Sequence, residues 1–176
     1  AVNRTHETQS QVFIITMQVV NGMSLFPKPI QKPHPQIILG TDGRRMTDIA
    51  CREADGINLP YTKIDDLPLS ISKIKQNLEK YDRDINSFEI SYFNTVNIVD
   101  SQEELDTIVA KIIKTAPEDK KPIKEEVLRN SFIGFPENIK NQIAKVQEFG
   151  VDKMVIAIRK SESINDPMTL FAEKIK

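Results

Sequence analysis

From residue 36 onward, short apolar runs alternate with segments in which apolar residues recur every three or four positions. Apolar runs at residues 37–39, 56–59 and 154–158 predict strands, as does a longer run rich in aromatic and β-branched residues at 88–99. The segments that follow each run have helical periodicity. Four β–α units in a row predict parallel strands joined by right-handed crossovers.

The helical segments carry recognisable faces, starts and ends. In the first helix one face holds Met46, Ile49, Ala50 and Ala54, and in the second it holds Leu67, Ile71, Ile74 and Leu78. Asp65 or Asp66 is the predicted cap of the second helix. Ser101 with Glu104 forms a capping box before the third. Residues 131–135 predict a turn into a further helix that starts at Pro136 and stops at Gly150.

The first 35 residues have a different character. The run QVFIITMQVV at 11–20, followed by Asn21-Gly22, predicts an extended, hairpin-like segment, and the prolines at 27–35 exclude a helix. We therefore expect a lead-in at residues 1–35 and one structural domain of β–α units at 36–176. Two α/β folds fit this pattern, an open doubly wound sheet and half of an eight-stranded barrel, and periodicity does not choose between them.

Composition narrows the range of partners and compartments. The formal net charge of −1 does not favour non-specific binding to nucleic acid or to an anionic membrane. No apolar run reaches transmembrane length. The only cysteine, Cys51, cannot form an internal disulfide, which indicates a reducing cytoplasm. Because Cys51 lies on a predicted helix with no histidine nearby in sequence, we expect an inert, buried thiol.

The sharpest candidate site is the turn between the first strand and the first helix. Gly40, Thr41, Asp42 and Gly43 close the strand, and Arg44 opens the helix. Backbone N–H groups at a helix N-terminus favour an anion, so this order predicts a phosphate site. Thr41 can add a hydroxyl donor, and Arg44 or Arg45 a charge-assisted contact. The alternative is an ordinary β–α turn in which Asp42 caps the helix.

Three segments, taken in order, resemble the luciferase-like monooxygenase family, which includes the coenzyme F420-dependent reductases. The first begins with PKPIQ at 27–31, continues through the strand and glycine turn, and ends with ADG at 54–56. The second is IGFPE at 133–137, and the third is FGVD at 149–152 before an apolar strand. The family is a TIM-type (β/α)8 barrel. The resemblance implies its C-terminal half, strands five to eight.

The resemblance also implies a function. Family members bind FMN or coenzyme F420, with the cofactor phosphate at the turn that corresponds here to Gly40, Thr41, Asp42, Gly43 and Arg44. The chain would then be the C-terminal part of an FMN- or F420-dependent oxidoreductase with a small-molecule substrate, similar to luciferase-like monooxygenases or methylenetetrahydromethanopterin reductase. No residue of this half is identified as catalytic. His34, between two prolines, is interpreted as a loop residue, and no metal-ligand spacing occurs.

A half barrel leaves two sheet edges and an apolar concave face open. We therefore expect a partner, either a second copy of the chain or a separate N-terminal half. Two other functions stay open. One is a truncated, non-catalytic relative that folds by oligomerising, and the other is an unrelated α/β binding domain, which would have helices on both faces of its sheet.

Overall fold

The structure is a computed structural model that describes residues 30–41, 43–159 and 166–175. The chain divides between Pro35 and Gln36. Residues 30–35 are exposed and belong to no helix or strand, and every element below lies in the second unit. The hairpin-like segment predicted within the first 26 residues lies outside the described residues.

The described part of the chain contains five strands and six α-helices. The strands are β1 (Ile38–Gly40), β2 (Gly56–Pro60), β3 (Glu89–Ile98), β4 (Phe132–Gly134) and β5 (Lys153–Ile158). The helices are α1 (Arg44–Glu53), α2 (Leu67–Lys80), α3 (Gln102–Thr115), α4 (Lys124–Asn130), α5 (Pro136–Glu148) and α6 (Pro167–Lys174). All strand pairs are parallel, as the four β–α units predict.

β3 is the centre of the sheet. β1 pairs with β2, β2 pairs with the first half of β3, and β5 pairs with the other edge of β3. Val96 is in register with Ile158 of β5 and also with Phe132 of β4. A strand has only two edges, so β4 must continue the edge that β2 occupies earlier along β3. The carboxyl ends of β1, β2 and β4 therefore open onto one end of the sheet.

Three helices pack on the same face of this sheet. Ile57, Ile90 and Tyr92 share one buried cluster with Ala50 of α1, with Ile71, Ile74 and Leu78 of α2, and with Ile139 and Val146 of α5. A second cluster joins α3 and α4 to Val99, which directly follows β3, and to Ile133 of β4. The opposite face carries Ser91, Phe93 and Val155, and Val155 is 43% exposed. Helices on one convex side are typical of a barrel rather than of an open doubly wound sheet.

Two local predictions were wrong. β4 is a strand, although residues 131–135 predicted only a turn into α5. In α1, Ala50 and Ala54 are buried as predicted, whereas Met46 of the same predicted face is 42% exposed. Cys51 is buried in addition. The end of α5 is as predicted, since Gly150 follows its last turn with a left-handed φ of 92°.

Candidate functional site

The turn after β1 is held by its own backbone and by the Thr41 side chain. The N–H of Thr41 donates to the carbonyl of Asn58 at 2.9 Å, which extends the pairing with β2 by one residue. The hydroxyl oxygen of Thr41 accepts from the N–H of Gly43 at 3.1 Å. Thr41 is only 8% exposed, so this bond is sheltered from water. The turn is therefore fixed before any ligand arrives, and within the described ranges no group accepts the hydroxyl proton of Thr41.

The first turn of α1 faces open space. The helix begins at Arg44 with Gly43 as its N-cap, and among the described residues no side chain caps it. Asp42, the predicted cap, lies outside the described residues. A Cβ atom built on Gly40 or on Gly43 would meet nothing within 4 Å. The backbone can therefore be approached closely by a ligand, and the N–H groups of the first turn favour an anionic one.

A groove lies between α1 and α2 and reaches Arg44, the first residue of α1. Its volume is about 860 Å³, and its polar lining includes Arg44, Thr47, Thr62, Ser70 and Lys73, with Asp66 as the acidic member. The Thr62 hydroxyl oxygen is buried, and none of the described residues offers it a hydrogen bond. Such an atom needs a partner, and a polar group in the groove can supply one. Arg44 and Arg45 are both exposed, but Arg45 is not part of this lining.

The concave face of the sheet carries polar side chains beside the turn. Asn58 and Ser91 are in register on β2 and β3, and the side-chain amide of Asn58 donates to the Ser91 hydroxyl at 2.9 Å. That hydroxyl donates in turn to the carbonyl of Ile57 at 3.2 Å. Ser91 is 2% exposed, and both of its hydrogen-bonding roles are filled within the sheet. This pair stabilises the strands and leaves no group of Ser91 for chemistry.

Tyr61 follows the last residue of β2 with a left-handed backbone, at a φ of 52°. Its N–H donates to the carbonyl of Phe93 at 2.9 Å. Its ring meets the Phe93 ring edge to face, with 5.1 Å between centroids and 85° between planes. Nevertheless, Tyr61 is 61% exposed. An aromatic ring is thus presented at the carboxyl end of the sheet.

Hydrogen bonds from neighbouring elements hold the backbone of Thr62 and Asp65, which follow Tyr61. The buried hydroxyl of Tyr92 donates to the carbonyl of Thr62 at 2.7 Å and accepts from the side-chain amide of Asn94 at 2.6 Å. Burial raises the pKa of Tyr92 more than the bond from Asn94 lowers it, so the hydroxyl keeps its proton and remains a donor. Further along, the N–H of Asp65 donates to the side-chain oxygen of Asn130 in α4 at 2.9 Å.

The sequence matches the model of the luciferase-like monooxygenase family over residues 13–153. The chain belongs to the luciferase-like monooxygenase family. The predicted resemblance is thereby confirmed. Among curated proteins, none matches this chain.

Solved structures agree on the fold. An F420-dependent secondary alcohol dehydrogenase in complex with an F420–acetone adduct has a TM-score of 0.67 at 14% identity, over 87% of this chain and 51% of its own. A coenzyme F420-dependent tetrahydromethanopterin reductase from Methanopyrus kandleri has a TM-score of 0.63 at 13% identity. The match covers 80% of this chain and 50% of the reductase. A riboflavin lyase with modified FMN and riboflavin has a TM-score of 0.56 at 13% identity. The match covers 81% of this chain and 42% of the lyase.

The chain spans about half the length of these luciferase-like structures. Together with the helices on one face of a parallel sheet, this confirms the predicted fold, which is half of a TIM-type barrel. In a TIM barrel, functional sites gather at the carboxyl ends of the strands. The turn at Gly40, the groove at Arg44 and the ring of Tyr61 all lie at that end.

Other predicted features fall outside this region of the luciferase-like fold. Cys51 is fully buried and its thiol lies 3.8 Å from the carbonyl oxygen of Ile74. Burial raises its pKa to about 11, so the thiol is protonated and unreactive near neutral pH, as predicted. His34 is exposed in the lead-in. No cluster of metal-ligating side chains occurs in the described ranges, and no described helix has the length and hydropathy of a membrane span.

The sequence analysis missed Tyr61, Thr62 and Lys73. Lys73 lies on the exposed face of a predicted amphipathic helix, where lysine is common, so nothing distinguished it. Tyr61 and Thr62 follow the strand-ending Pro60, and a large aromatic residue between a predicted strand and the next helix cap was a usable signal. In a barrel, residues directly after a strand lie at the end where ligands bind.

Proposed function

We propose that the chain is the cofactor-phosphate-binding half of a flavin-type oxidoreductase that uses FMN or coenzyme F420 on a small-molecule substrate. The observation that carries the proposal is the first turn of α1. It is uncapped by any described side chain, it is open above Gly40 and Gly43, and Arg44 lies beside it. Of the solved structures named above, two are F420-dependent enzymes and the third holds modified FMN, which supports this cofactor class.

The residues present fit a phosphate ester. The backbone N–H groups at the start of α1 point along the helix axis, and the helix dipole favours a negative charge there. The Thr41 hydroxyl can donate because its oxygen already accepts from Gly43. Arg44 supplies a charge-assisted contact, and Lys73 adds positive charge to the same groove. The proposed cofactor-binding set is therefore Gly40, Thr41, Gly43 and Arg44, with Asp42 outside the described residues.

When bound, the cofactor supplies hydride or oxygen chemistry. The role of this chain is to bind the phosphate, which fixes the position of the cofactor ring. Positioning of this kind contributes to catalysis because the reacting atoms then meet in a productive geometry. We assign no catalytic residue to this half.

The test compares two neighbouring arginines. Arg44→Ala removes the groove-lining guanidinium, and we expect FMN or F420 affinity to fall about tenfold, as for the loss of one charge-assisted hydrogen bond. Arg45→Ala removes the same charge one residue away, outside the groove, and is the matched control. Affinity is measured by fluorescence titration of each cofactor. Tight binding that neither substitution changes would remove these arginines from the site.

We further propose that a second set of β–α units completes the barrel. Within the described residues, the outer edges of β1 and β5 pair with no strand, and Val155 on the concave face is 43% exposed. Open strand edges and exposed apolar faces favour association. The covering unit is an N-terminal half with the same parallel arrangement. The other occupant, a second copy of this chain, would instead form a dimer of defined mass from the chain alone, without an N-terminal half.

A further inference from the structure

The side chain of Tyr61 lies on the face opposite to the one that strand alternation predicts. Along β2, Ile57 and Leu59 point towards the helices and are buried there. Residue 61 should follow them, because side chains alternate with a period of two. Its left-handed backbone turns the ring instead onto Phe93, which is in register with the exposed Val155 on the concave face.

This conformation is costly and firmly held. A left-handed backbone is unfavourable for a residue with a Cβ atom, and such outliers persist only where the surroundings impose them. Here the N–H of Tyr61 is bonded to Phe93, and the next carbonyl, that of Thr62, is bonded to the buried Tyr92 hydroxyl. The ring is nevertheless 61% exposed. Burial of the Tyr61 ring therefore does not account for the conformation, which these hydrogen bonds impose and which leaves the ring open to a ligand.

The ring lies within reach of the phosphate site. Gly40 is in register with Asn58, and Tyr61 is three residues beyond Asn58 on the neighbouring strand. At a rise of about 3.3 Å per residue and a strand spacing of about 4.8 Å, the two positions are roughly 11 Å apart. FMN and F420 both carry a planar tricyclic ring on a ribityl phosphate, and a ribityl chain covers a distance of this order.

We propose that Tyr61, backed by Phe93, is a binding contact for the planar ring system of the bound cofactor. The inference rests on the proposed function, because it takes the phosphate at α1 as the anchor of the same molecule. Aromatic side chains bind planar rings by stacking or by edge-to-face contact. The Phe93 ring fixes one edge of Tyr61 and leaves the exposed part of the tyrosine to make that contact.

The test separates the ring from the phosphate. Riboflavin has the ring and the ribityl chain but no phosphate, so affinities of the full 176-residue chain are measured for FMN, F420 and riboflavin. Tyr61→Gly removes the ring and suits the left-handed backbone, because glycine has no Cβ atom. Tyr61→Phe keeps the ring as the matched control. Tyr61→Asn, which also tolerates this backbone, replaces the glycine variant if that variant fails to fold.

We expect Tyr61→Gly to weaken FMN and riboflavin by the same factor, roughly five- to tenfold, because the lost contact is to the ring alone. Tyr61→Phe should stay within about twofold of the unchanged chain. Arg44→Ala should weaken FMN and leave riboflavin unchanged. If the unchanged chain binds F420 in place of FMN, F420 is identified as the cofactor. Tyr61→Gly should then weaken F420 binding by a similar factor.

Two results would overturn the inference, and they differ in what else they overturn. If the unchanged chain binds FMN or F420 and Tyr61→Gly binds it equally well, the ring contact is absent while the proposed function stands. A loss of stability without a loss of affinity would then show that Tyr61 only packs against protein. If the unchanged chain binds neither cofactor, the ring contact and the proposed function both fail.

Discussion

At the scale of single residues, Gly56 shows how tightly the sheet is built next to the site. It is in register with Glu89 of β3 and with Ile38 of β1. A Cβ atom at this position would lie 2.5 Å from the Glu89 carbonyl oxygen and 2.6 Å from the terminal methyl group of Ile38. Backbone cannot move away from such a contact cheaply, so glycine is required here for space rather than for an unusual φ.

We predict that Gly56→Ala lowers the free energy of unfolding by about 1–3 kcal/mol, the usual cost of overpacking. Urea denaturation followed by circular dichroism measures this change. The control is Gly40→Ala, where a Cβ atom meets nothing within 4 Å and stability should change by less than about 0.5 kcal/mol. Equal stability of the two variants would show that β2 and β3 do not approach as closely as described.

Some of the site was predictable from its residues and some was not. The order of strand, glycine turn and helix located the open helix start at Gly40–Arg44, because that signal is local in sequence. The position of the Tyr61 ring was not predictable. Alternation along β2 gives the wrong face, and the backbone angle that corrects it is imposed by bonds to Phe93 and Tyr92, which lie about thirty residues away.

At the scale of elements, the sequence predicted those whose burial follows a clear period. The predicted apolar face of α2, which is Leu67, Ile71, Ile74 and Leu78, is buried. Ser101 caps α3 as predicted, because its hydroxyl oxygen accepts from the N–H of Glu104 at 3.2 Å. β4 was missed because it ends in Gly134, two residues before Pro136, and glycine followed closely by proline predicts a turn into a helix. In α1, Ala50 and Ala54 are buried as predicted, but Met46 is exposed and Cys51 is buried in addition.

The contact between α4 and the turn after β2 gives a prediction at this scale. α4 has seven residues, too few to be stable alone, and Asp65 binds its Arg129 and Asn130. We expect Asp65→Ala to destabilise the docked helix by up to about 1 kcal/mol, so that amides in α4 exchange roughly fivefold faster. Hydrogen exchange measured by mass spectrometry reports this directly.

The matched control is Asp48→Ala. Asp48 is as exposed as Asp65 and also joins two helices, but its partners are Lys80 and Tyr81 at the end of α2 rather than residues of α4. Its loss should leave exchange in α4 unchanged. Equal acceleration of α4 in both variants would mean that the effect is global and that Asp65 has no specific part in docking α4.

At the scale of the whole molecule, the described part of the chain is half of a barrel with both outer strand edges unpaired. We predict that the chain alone associates at micromolar concentration, and that an N-terminal half with matching strands converts it to a defined complex. Light scattering coupled to size-exclusion chromatography measures the mass. A chain that remains a folded monomer under these conditions would contradict the proposed completion of the barrel.

The central claim is that the first turn of α1, with Arg44, holds the phosphate of a flavin-type cofactor. Phosphorus NMR of FMN or F420 mixed with the chain observes that group itself. We expect the phosphate resonance of one of them to shift and broaden with the unchanged chain and with Arg45→Ala, and to return towards its free position with Arg44→Ala. A phosphate resonance that the unchanged chain does not perturb for either cofactor would contradict the claim.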